Sequence, residues 1–215
     1  MNLPPHQCLV HVVDDDPGLR RSLRFLLESV GWNVRLHASA EEFLEVCDTL
    51  DPPLNKQPCC MLLDIRMAAM SGLELQQVLQ ERGIELQIIF MTGHADVSMA
   101  VQAMKSGAAD FIEKPFKDQL MLDAVAAAVR RSAETLQEAR IRQEALDMLA
   151  ALSPRESEVA RLVALGQPNK LIAATLGISE KTVHIHRQHV MEKAGLSSAA
   201  ELARLMLRAD PSALN

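Results

Sequence analysis

The sequence predicts an α/β fold with a five-stranded parallel sheet, followed by an all-α region of four short helices. Two observations support this prediction. Five short apolar runs alternate with amphipathic stretches before residue 117, which is typical of βα units whose sheet is covered by helices on both faces. From residue 151 onwards these runs stop, and short helical patterns that begin at serine or end at glycine replace them.

The first βα unit illustrates the pattern. CLVHVV (8–13) predicts a buried strand, and the helix that follows has Pro17 near its start and Gly31 after its end. The other predicted strands are NVRLHA (33–38), CMLLD (60–64), LQIIFMT (86–92) and DFIEK (110–114). The helices between them are SAEEFLEVC (39–47), GLELQQVLQERG (72–83) and VSMAVQAMKSG (97–107), with a last helix from about Lys117.

A long helix is predicted next, because residues 118–152 contain no glycine or proline. Most of it, residues 123–149, reads as a helical linker. A dimeric coiled segment is the alternative, because side chains recur at spacings of three and four with two polar interruptions. The positions concerned are Leu122, Val125, Val129, Ser132, Leu136, Ala139, Gln143 and Leu146.

The last part of the chain predicts a helix-turn-helix. SPRE (153–156) has the spacing of a capping box, with Pro154 at the first helical position. The later helices are NKLIAATLG (169–177), EKTVHIHRQHVMEKA (180–194) after a cap at Ser179, and AELARLMLR (200–208) after a capping box at Ser198 and Glu201. Two helices joined at Gly177 fit a motif whose second helix enters the major groove of DNA.

Composition is that of a soluble globular protein, with 48% hydrophobic and 23% charged residues. No apolar run approaches the roughly 18 residues that span a bilayer, and the first residues do not resemble a signal peptide. We therefore expect a cytoplasmic protein without membrane contact. Residues 1–150 carry 22 acidic and 14 basic side chains, whereas residues 151–215 carry 6 and 8, which hints at two separate tasks.

The cysteines are expected to be packing residues. Cys8, Cys47, Cys59 and Cys60 show no CxxC spacing, and the last two open the apolar run CCMLL. A vicinal disulfide or a metal pair at Cys59 and Cys60 is the alternative.

VVDDDPG (12–18) places three carboxylates directly after an apolar strand. Taken alone, such a triplet is readily explained as a solvated acidic turn. Ligands of parallel sheets, however, bind at the carboxyl ends of the strands, so side chains just past those ends should meet. These side chains are Asp14, Asp15, Asp16, Asp64, Thr92 and Lys114. A hard cation such as Mg²⁺ would offset the repulsion among the carboxylates.

The helix 180–194 carries the predicted DNA contacts. Its three histidines, His184, His186 and His189, point in different directions at 100° per residue, so a metal site is the less favoured alternative. His186 lies near the buried side and is expected to pack and hydrogen-bond. The predicted DNA contacts are Lys170, Lys181, Thr182, His184, Ile185, Arg187, Gln188 and Lys193.

These motifs resemble a known family. VVDDD (12–16), LLDIRM (62–67), MTGH (91–94) and AMKSGAADFIEKPF (103–116) are similar to a response-regulator receiver domain. The segment from LSPRE to MEKAG (152–195) resembles a LuxR-type helix-turn-helix output domain. The whole chain therefore resembles a two-component response regulator of the FixJ/NarL type. The implied parts are a flavodoxin-like receiver domain at 6–122, a helical linker at 123–149 and a DNA-binding domain at 150–211.

The resemblance implies a role for each site residue. Asp64 would be the phosphoacceptor, Asp15 a direct Mg²⁺ ligand and Asp14 a ligand through water. The other implied roles are the backbone carbonyl of Arg66 as a further ligand, Thr92 and Lys114 on the phosphoryl oxygens, and Phe111 as the aromatic switch. The bond between Lys114 and Pro115 is expected to be cis. His186 matches the histidine of the output motif.

The family function implies the partners. A sensor histidine kinase would donate the phosphoryl group, and promoter DNA would be the target. Binding to the promoter would activate transcription, with RNA polymerase as a further partner. Phosphorylation would promote a homodimer through residues 97–114, or release a masked output domain. Three positions depart from the family: Ala68 replaces the usual proline, His184 a lysine or glutamate, and Leu171 a polar residue.

Two other functions are less favoured. An aspartyl-phosphate phosphatase would carry a second aspartate two residues after Asp64, where this chain has Arg66. A ligand-sensing module, as in quorum-sensing relatives of the output domain, would lack the pattern of paired acids, Asp64, Thr92 and Lys114. We therefore expect a regulator and not an enzyme.

Overall fold

A computed structural model describes residues 8–47, 49, 54–93 and 97–214. Its strands are β1 (Leu9–Val13), β2 (Asn33–His37), β3 (Cys59–Asp64), β4 (Gln87–Thr92) and β5 (Asp110–Glu113). Its helices are α1 (Pro17–Ser29), α2 (Ala40–Cys47), α3 (Gly72–Glu81), α4 (Val97–Lys105), α5 (Asp118–Ala150), α6 (Pro154–Ala164), α7 (Asn169–Leu176), α8 (Glu180–Ala194) and α9 (Ala199–Ala209). The predicted domain start at residue 6 lies outside the described residues. Every helix of the described part is too short or too polar to cross a membrane.

The first unit is the predicted (βα)5 fold. In the part of the chain that the structure describes, five parallel strands form one sheet in the order β2-β1-β3-β4-β5. β1 and β3 are buried along their full length, as their apolar runs predict, whereas β2 at the sheet edge is only half buried. The strand order changes direction between β1 and β3, so ligands are expected where these two strands end.

Helices cover both faces of the sheet. Leu75 of α3 and Phe43 of α2 pack on one face, and Leu27 of α1 and Val125 of α5 pack on the other. Within the described residues no disulfide joins two cysteines, and Cys59 and Cys60 are buried among the apolar side chains, as packing residues would be.

Two histidines are buried in one face of the sheet. His11 and His37 lie on neighbouring strands, with His11 Nδ1 3.0 Å from His37 Nε2, and both rings contact the edge or face of Phe43. Among the described residues, the second ring nitrogen of each histidine has no hydrogen-bond partner. Burial, together with the charges of His37 and Arg35, lowers the pKa of His11 to about 3. The pair is therefore uncharged at neutral pH.

The predicted linker is helical, but it is part of one longer helix that begins in the first unit. α5 runs unbroken from Asp118 to Ala150, and its first half is buried beneath the sheet at Met121 and Val125. Its last turns pack instead on α8 and α9, where Ala145 is buried. The described residues up to Leu136 form one compact unit and those from Gln137 a second, so the boundary falls inside the linker predicted for 123–149.

The structure divides the positions of the alternative coiled segment into two groups. Val125 and Val129 are buried in the core of the first unit, whereas Ala139, Gln143 and Leu146 are exposed. A coiled segment could therefore use only the later positions, and it stays a prediction.

The second unit is the predicted four-helix arrangement. α6, α7, α8 and α9 enclose one core, which includes Val159, Ile172, Val183, Val190 and Leu202. Both predicted capping boxes are present, at Ser153 with Glu156 and at Ser198 with Glu201. Gly177 ends α7 with φ of 64°, a left-handed conformation that glycine adopts without steric cost, and this turns the chain into α8.

Candidate functional site

Three carboxylates meet where β1 and β3 end. One oxygen each from Asp14, Asp15 and Asp64 lies within 4.8 Å of the other two. Asp14 is fully buried and Asp64 is 6% exposed, whereas Asp15 is open to solvent. Among the described residues this is the one group of three or more carboxylate, histidine or cysteine side chains with such spacing. The predicted convergence of Asp14, Asp15 and Asp64 is therefore present.

A lysine joins two of these carboxylates. Lys114 Nζ lies 2.7 Å from Asp14 Oδ2 and 2.9 Å from Asp64 Oδ1. The residue follows β5, where its backbone N–H donates to the Thr92 carbonyl over 2.7 Å, and its bond to Pro115 is cis, as the resemblance implies. With all four groups ionised, the cluster carries a charge of −2, which a divalent cation would neutralise.

The charges of the cluster shift two pKa values. Burial raises the pKa of the Asp64 carboxyl, as do Asp14 and Asp15, and the hydrogen bond from Lys114 only partly opposes this. Burial alone would lower the pKa of the Lys114 ammonium, but the hydrogen bonds and attraction of Asp14 and Asp64 outweigh it, and the net shift is upward. The lysine is therefore firmly charged, while the metal-free Asp64 carboxylate is destabilised.

The third acid of the triplet has a different task. Asp16 is the N-cap of α1, where its Oδ1 accepts hydrogen bonds from the N–H groups of Gly18 at 2.7 Å and Leu19 at 3.3 Å. Sequence reasoning placed Asp16 with the other acids, although an aspartate followed by proline is a recognised helix start. It also missed Arg20, whose guanidinium donates to the backbone carbonyl of Asp14.

Of the remaining predicted site residues, Thr92 and Arg66 lie at the same edge of the sheet, whereas Phe111 lies within β5 beside Phe90. Thr92 ends β4 and is buried, and Phe111 on β5 packs half-buried against the core below α4. Arg66 lies in the loop after β3 with its side chain exposed. The roles of these three residues stay predictions.

The predicted DNA-contacting surface lies on α8. Thr182 is half-buried, with its hydroxyl 2.8 Å from that of Ser179, and Arg187 donates to Asn169 Oδ1 over 3.3 Å. His186 is half-buried, which fits a packed histidine. The exposed predicted contacts on this helix include Lys181, His184, Ile185 and Gln188, and Lys170 on α7 is also exposed.

Lys193 differs from the other predicted contacts. Its ammonium lies 2.7 Å from Oε2 of Glu156, a carboxylate on α6 that is only 4% exposed. His189 also faces this glutamate, with 3.7 Å between its Nδ1 and Oε1. The Lys193 side chain itself is 43% exposed, so its predicted contact with a DNA phosphate stays a prediction.

The fold and the acid–lysine site define a receiver-type signalling protein with a DNA-binding output domain. Comparison with known families agrees. Residues 10–126 match the family described as "Response regulator receiver domain", and residues 150–206 match "Bacterial regulatory proteins, luxR family". This chain belongs to the response regulators of the FixJ/NarL type, which regulate transcription.

Individual relatives span both units. "Transcriptional regulatory protein FixJ" of Azorhizobium caulinodans is 46% identical over 205 residues, which cover 95% of this chain and 94% of that protein. "Transcriptional regulatory protein TdiR" of Thauera aromatica is 43% identical over 199 residues, with 93% and 85% covered. Among solved structures, the response regulator StyR has a TM-score of 0.82 at 39% identity and covers 93% of this chain and 98% of its own. Full-length FixJ from B. japonicum has a TM-score of 0.57 at 38% identity, with 94% and 96% covered.

Proposed function

We propose that this response regulator accepts a phosphoryl group on Asp64 from a sensor histidine kinase, with Mg²⁺ as the cofactor. The observation that supports the proposal is the ammonium of Lys114 between Asp14 and Asp64, with the exposed Asp15 beside them. A buried nucleophile, a fixed cation and a solvent-facing ligand are what carboxylate attack on a phosphoryl group requires.

Mg²⁺ fits the residues present. The site offers only oxygen ligands, one carboxylate is accessible, and the charge of the cluster matches a divalent ion. Asp15 would bind directly and Asp14 through water, with Asp64 and the backbone carbonyl of Arg66 completing the ligands from the protein. When bound, the ion would supply positive charge where the anionic donor approaches the acids.

The protein's own residues would perform the transfer. An oxygen of Asp64 would attack phosphorus, forming a P–O bond as the P–N bond of the kinase phosphohistidine breaks and the imidazole leaves with the electron pair. The Lys114 ammonium and the Thr92 hydroxyl would hold the phosphoryl oxygens. Asp64 would then carry a charge of about −2 in place of −1, drawing Thr92 inward and allowing Phe111 to repack.

We propose that this repacking promotes pairing of two chains through residues 97–114. α4 exposes apolar side chains in this segment, with Val101 46% and Met104 48% accessible. A dimer would double the phosphate contacts of two output domains and read two half-sites of promoter DNA. We propose that the bound dimer activates transcription through RNA polymerase, in the cytoplasm, where the DNA is.

The test is sedimentation velocity combined with DNA binding, with and without beryllofluoride and Mg²⁺ as a phosphoryl mimic. The wild-type chain should gain dimer and bind a duplex selected from random sequence more tightly. Asp64→Asn should do neither, while the exposed control Asp118→Asn should behave as wild type. Val101→Glu should no longer form the dimer, but Asp64 of this variant should still bind beryllofluoride.

Two results would contradict the proposal. A phosphodonor that labels a residue other than Asp64 would refute the phosphoacceptor. Tighter DNA binding without any dimer would replace pairing through 97–114 with release of a masked output domain.

A further inference from the structure

Glu156 differs from the other capping-box glutamates of the described chain. Three capping boxes are present, in which Glu74, Glu156 and Glu201 each accept from the backbone of the serine that caps the helix. Glu74 is exposed and Glu201 half-buried, whereas Glu156 is 4% exposed. A cap needs only a side chain at the solvent edge of the helix end, so the burial of Glu156 indicates a further task.

The buried carboxylate contacts the helix that carries the predicted base-reading residues. Oε2 accepts from the Ser153 backbone N–H over 2.8 Å and from the Lys193 ammonium over 2.7 Å, and Oε1 lies 3.7 Å from His189 Nδ1. The hydrogen bonds from Lys193 and Ser153 lower the pKa of Glu156 to about 2, and the hydrogen bond from Lys193 is the largest cause. The carboxylate is therefore charged at neutral pH, where it can pair with the Lys193 ammonium.

We infer that Glu156 and Lys193 form an ionic clamp between α6 and α8 that positions the recognition helix for DNA, so that Lys193 acts as a positioning residue and not as a phosphate contact. The inference rests on the proposed binding of DNA by α8. We use the term α6–α8 clamp for this pair.

The clamp would act through orientation. Lys193 lies in the last turn of α8, whereas the exposed contacts Lys181, His184 and Ile185 lie in its first half. Fixing one end of a helix limits how far its other end can tilt, and contacts to base edges tolerate little displacement. Without the clamp, the base-reading side chains would sample more positions and each specific contact would weaken.

Two variants isolate the clamp. Glu156→Gln keeps the capping box, since glutamine serves at this position, but removes the charge that binds Lys193. Lys193→Met keeps the aliphatic stem and removes the ammonium. Glu201→Gln makes the same change in the capping box of α9, where the carboxylate accepts from Ser197 and Ser198, and serves as the matched control.

The experiment measures how tightly the full-length chain, with beryllofluoride and Mg²⁺ bound, binds a DNA duplex. The wild-type protein selects this duplex from random sequence, and each affinity is measured over a series of salt concentrations. Each clamp variant should bind about tenfold more weakly. Because no phosphate contact is lost, the slope of log K against log salt should stay that of wild type. The double variant should bind no worse than either single one, and Glu201→Gln should match wild type.

The opposite pattern would overturn the inference. If Lys193 contacts a phosphate, Lys193→Met should lower the salt slope by about 1, and Glu156→Gln should bind more tightly because it frees the ammonium. Wild-type affinity in both variants would also overturn it. Failure of the wild-type chain to select any duplex would refute the proposed DNA binding itself. Lys193→Arg can still pair with Glu156, so it should restore the DNA affinity that Lys193→Met loses if the clamp is correct.

Discussion

Replacing Asp64, the proposed phosphoacceptor, with asparagine should stabilise the metal-free receiver domain. The magnitude follows from the distances in the site. At an effective dielectric constant of about 20, each repulsion from Asp14 and Asp15, whose oxygens lie within 4.8 Å, costs at least about 3.5 kcal/mol, and the attraction of Lys114 at 2.9 Å returns about 6 kcal/mol. About 1 kcal/mol of repulsion remains, and burial of the carboxylate adds to it. We expect Asp64→Asn to raise the free energy of unfolding by about 1 to 2 kcal/mol at pH 7.

The pH dependence of unfolding tests separately whether Asp64→Asn raises or lowers the free energy of unfolding. Burial and the neighbouring acids raise the pKa of Asp64 in the folded state. The protonated Asp64 carboxyl therefore contributes to the free energy of unfolding below its unfolded pKa, and this contribution is lost as the pH rises through the folded pKa. Asparagine imitates the protonated form. The advantage of Asp64→Asn should therefore be full at pH 7 and shrink as the pH falls through the raised pKa.

Urea unfolding followed by Trp32 fluorescence is the suitable assay. Trp32 is the single tryptophan of the chain and packs in the core of the receiver unit, so the signal reports that unit. Mg²⁺ should stabilise wild type more than Asp64→Asn, because the proposed site needs all three acids to hold the ion. Asp118→Asn should stay within about 0.5 kcal/mol of wild type. A metal-free Asp64→Asn protein that unfolds at lower urea than wild type at pH 7 would refute the reasoning.

Three further predictions concern the same unit. Gly72→Ala would place a Cβ 2.3 Å from the backbone oxygen of Asp64, so the end of β3 must shift. We expect the free energy of unfolding in urea to fall by about 1 to 3 kcal/mol and beryllofluoride to bind more weakly. Unchanged values of both would refute the clash. Gln76→Leu removes a buried donor 2.9 Å from the Ser106 carbonyl and should cost about 1 kcal/mol by the same assay. The pKa of His11 is lowered to about 3 in the folded state. The buried, neutral imidazole therefore contributes to stability above its unfolded pKa near 6.5, and this contribution is lost as the pH falls toward 3. His11→Leu should therefore lose less stability than wild type in acid titrations, and an identical acid response would exclude this role.

The fold could be predicted because its signals are local. Apolar runs of strand length, bounded by glycine and proline, define the five strands to within one or two residues, and the capping boxes mark the starts of α6 and α9. The division of α5 was not predictable in this way. Its buried side changes partner along one unbroken helix, and composition does not record which core each turn contacts.

The site was predictable where strand ends determine it. Asp14, Asp64 and Lys114 meet because parallel strands bring their carboxyl ends together. The pairing of Lys193 with Glu156 was missed, because the two residues lie 37 positions apart on different helices and each has an ordinary surface explanation alone. Long side chains choose partners by tertiary distance, which sequence spacing does not contain.

The ion pair between Lys114 and Asp14 joins residues 100 positions apart in the chain. The chemistry of the acidic pocket therefore depends on the last strand having been added to the sheet. A polypeptide still emerging from the ribosome holds the acids of β1 and β3 long before it holds their counter-charge. The proposed phosphoryl transfer should thus become possible only once the whole domain has been synthesised.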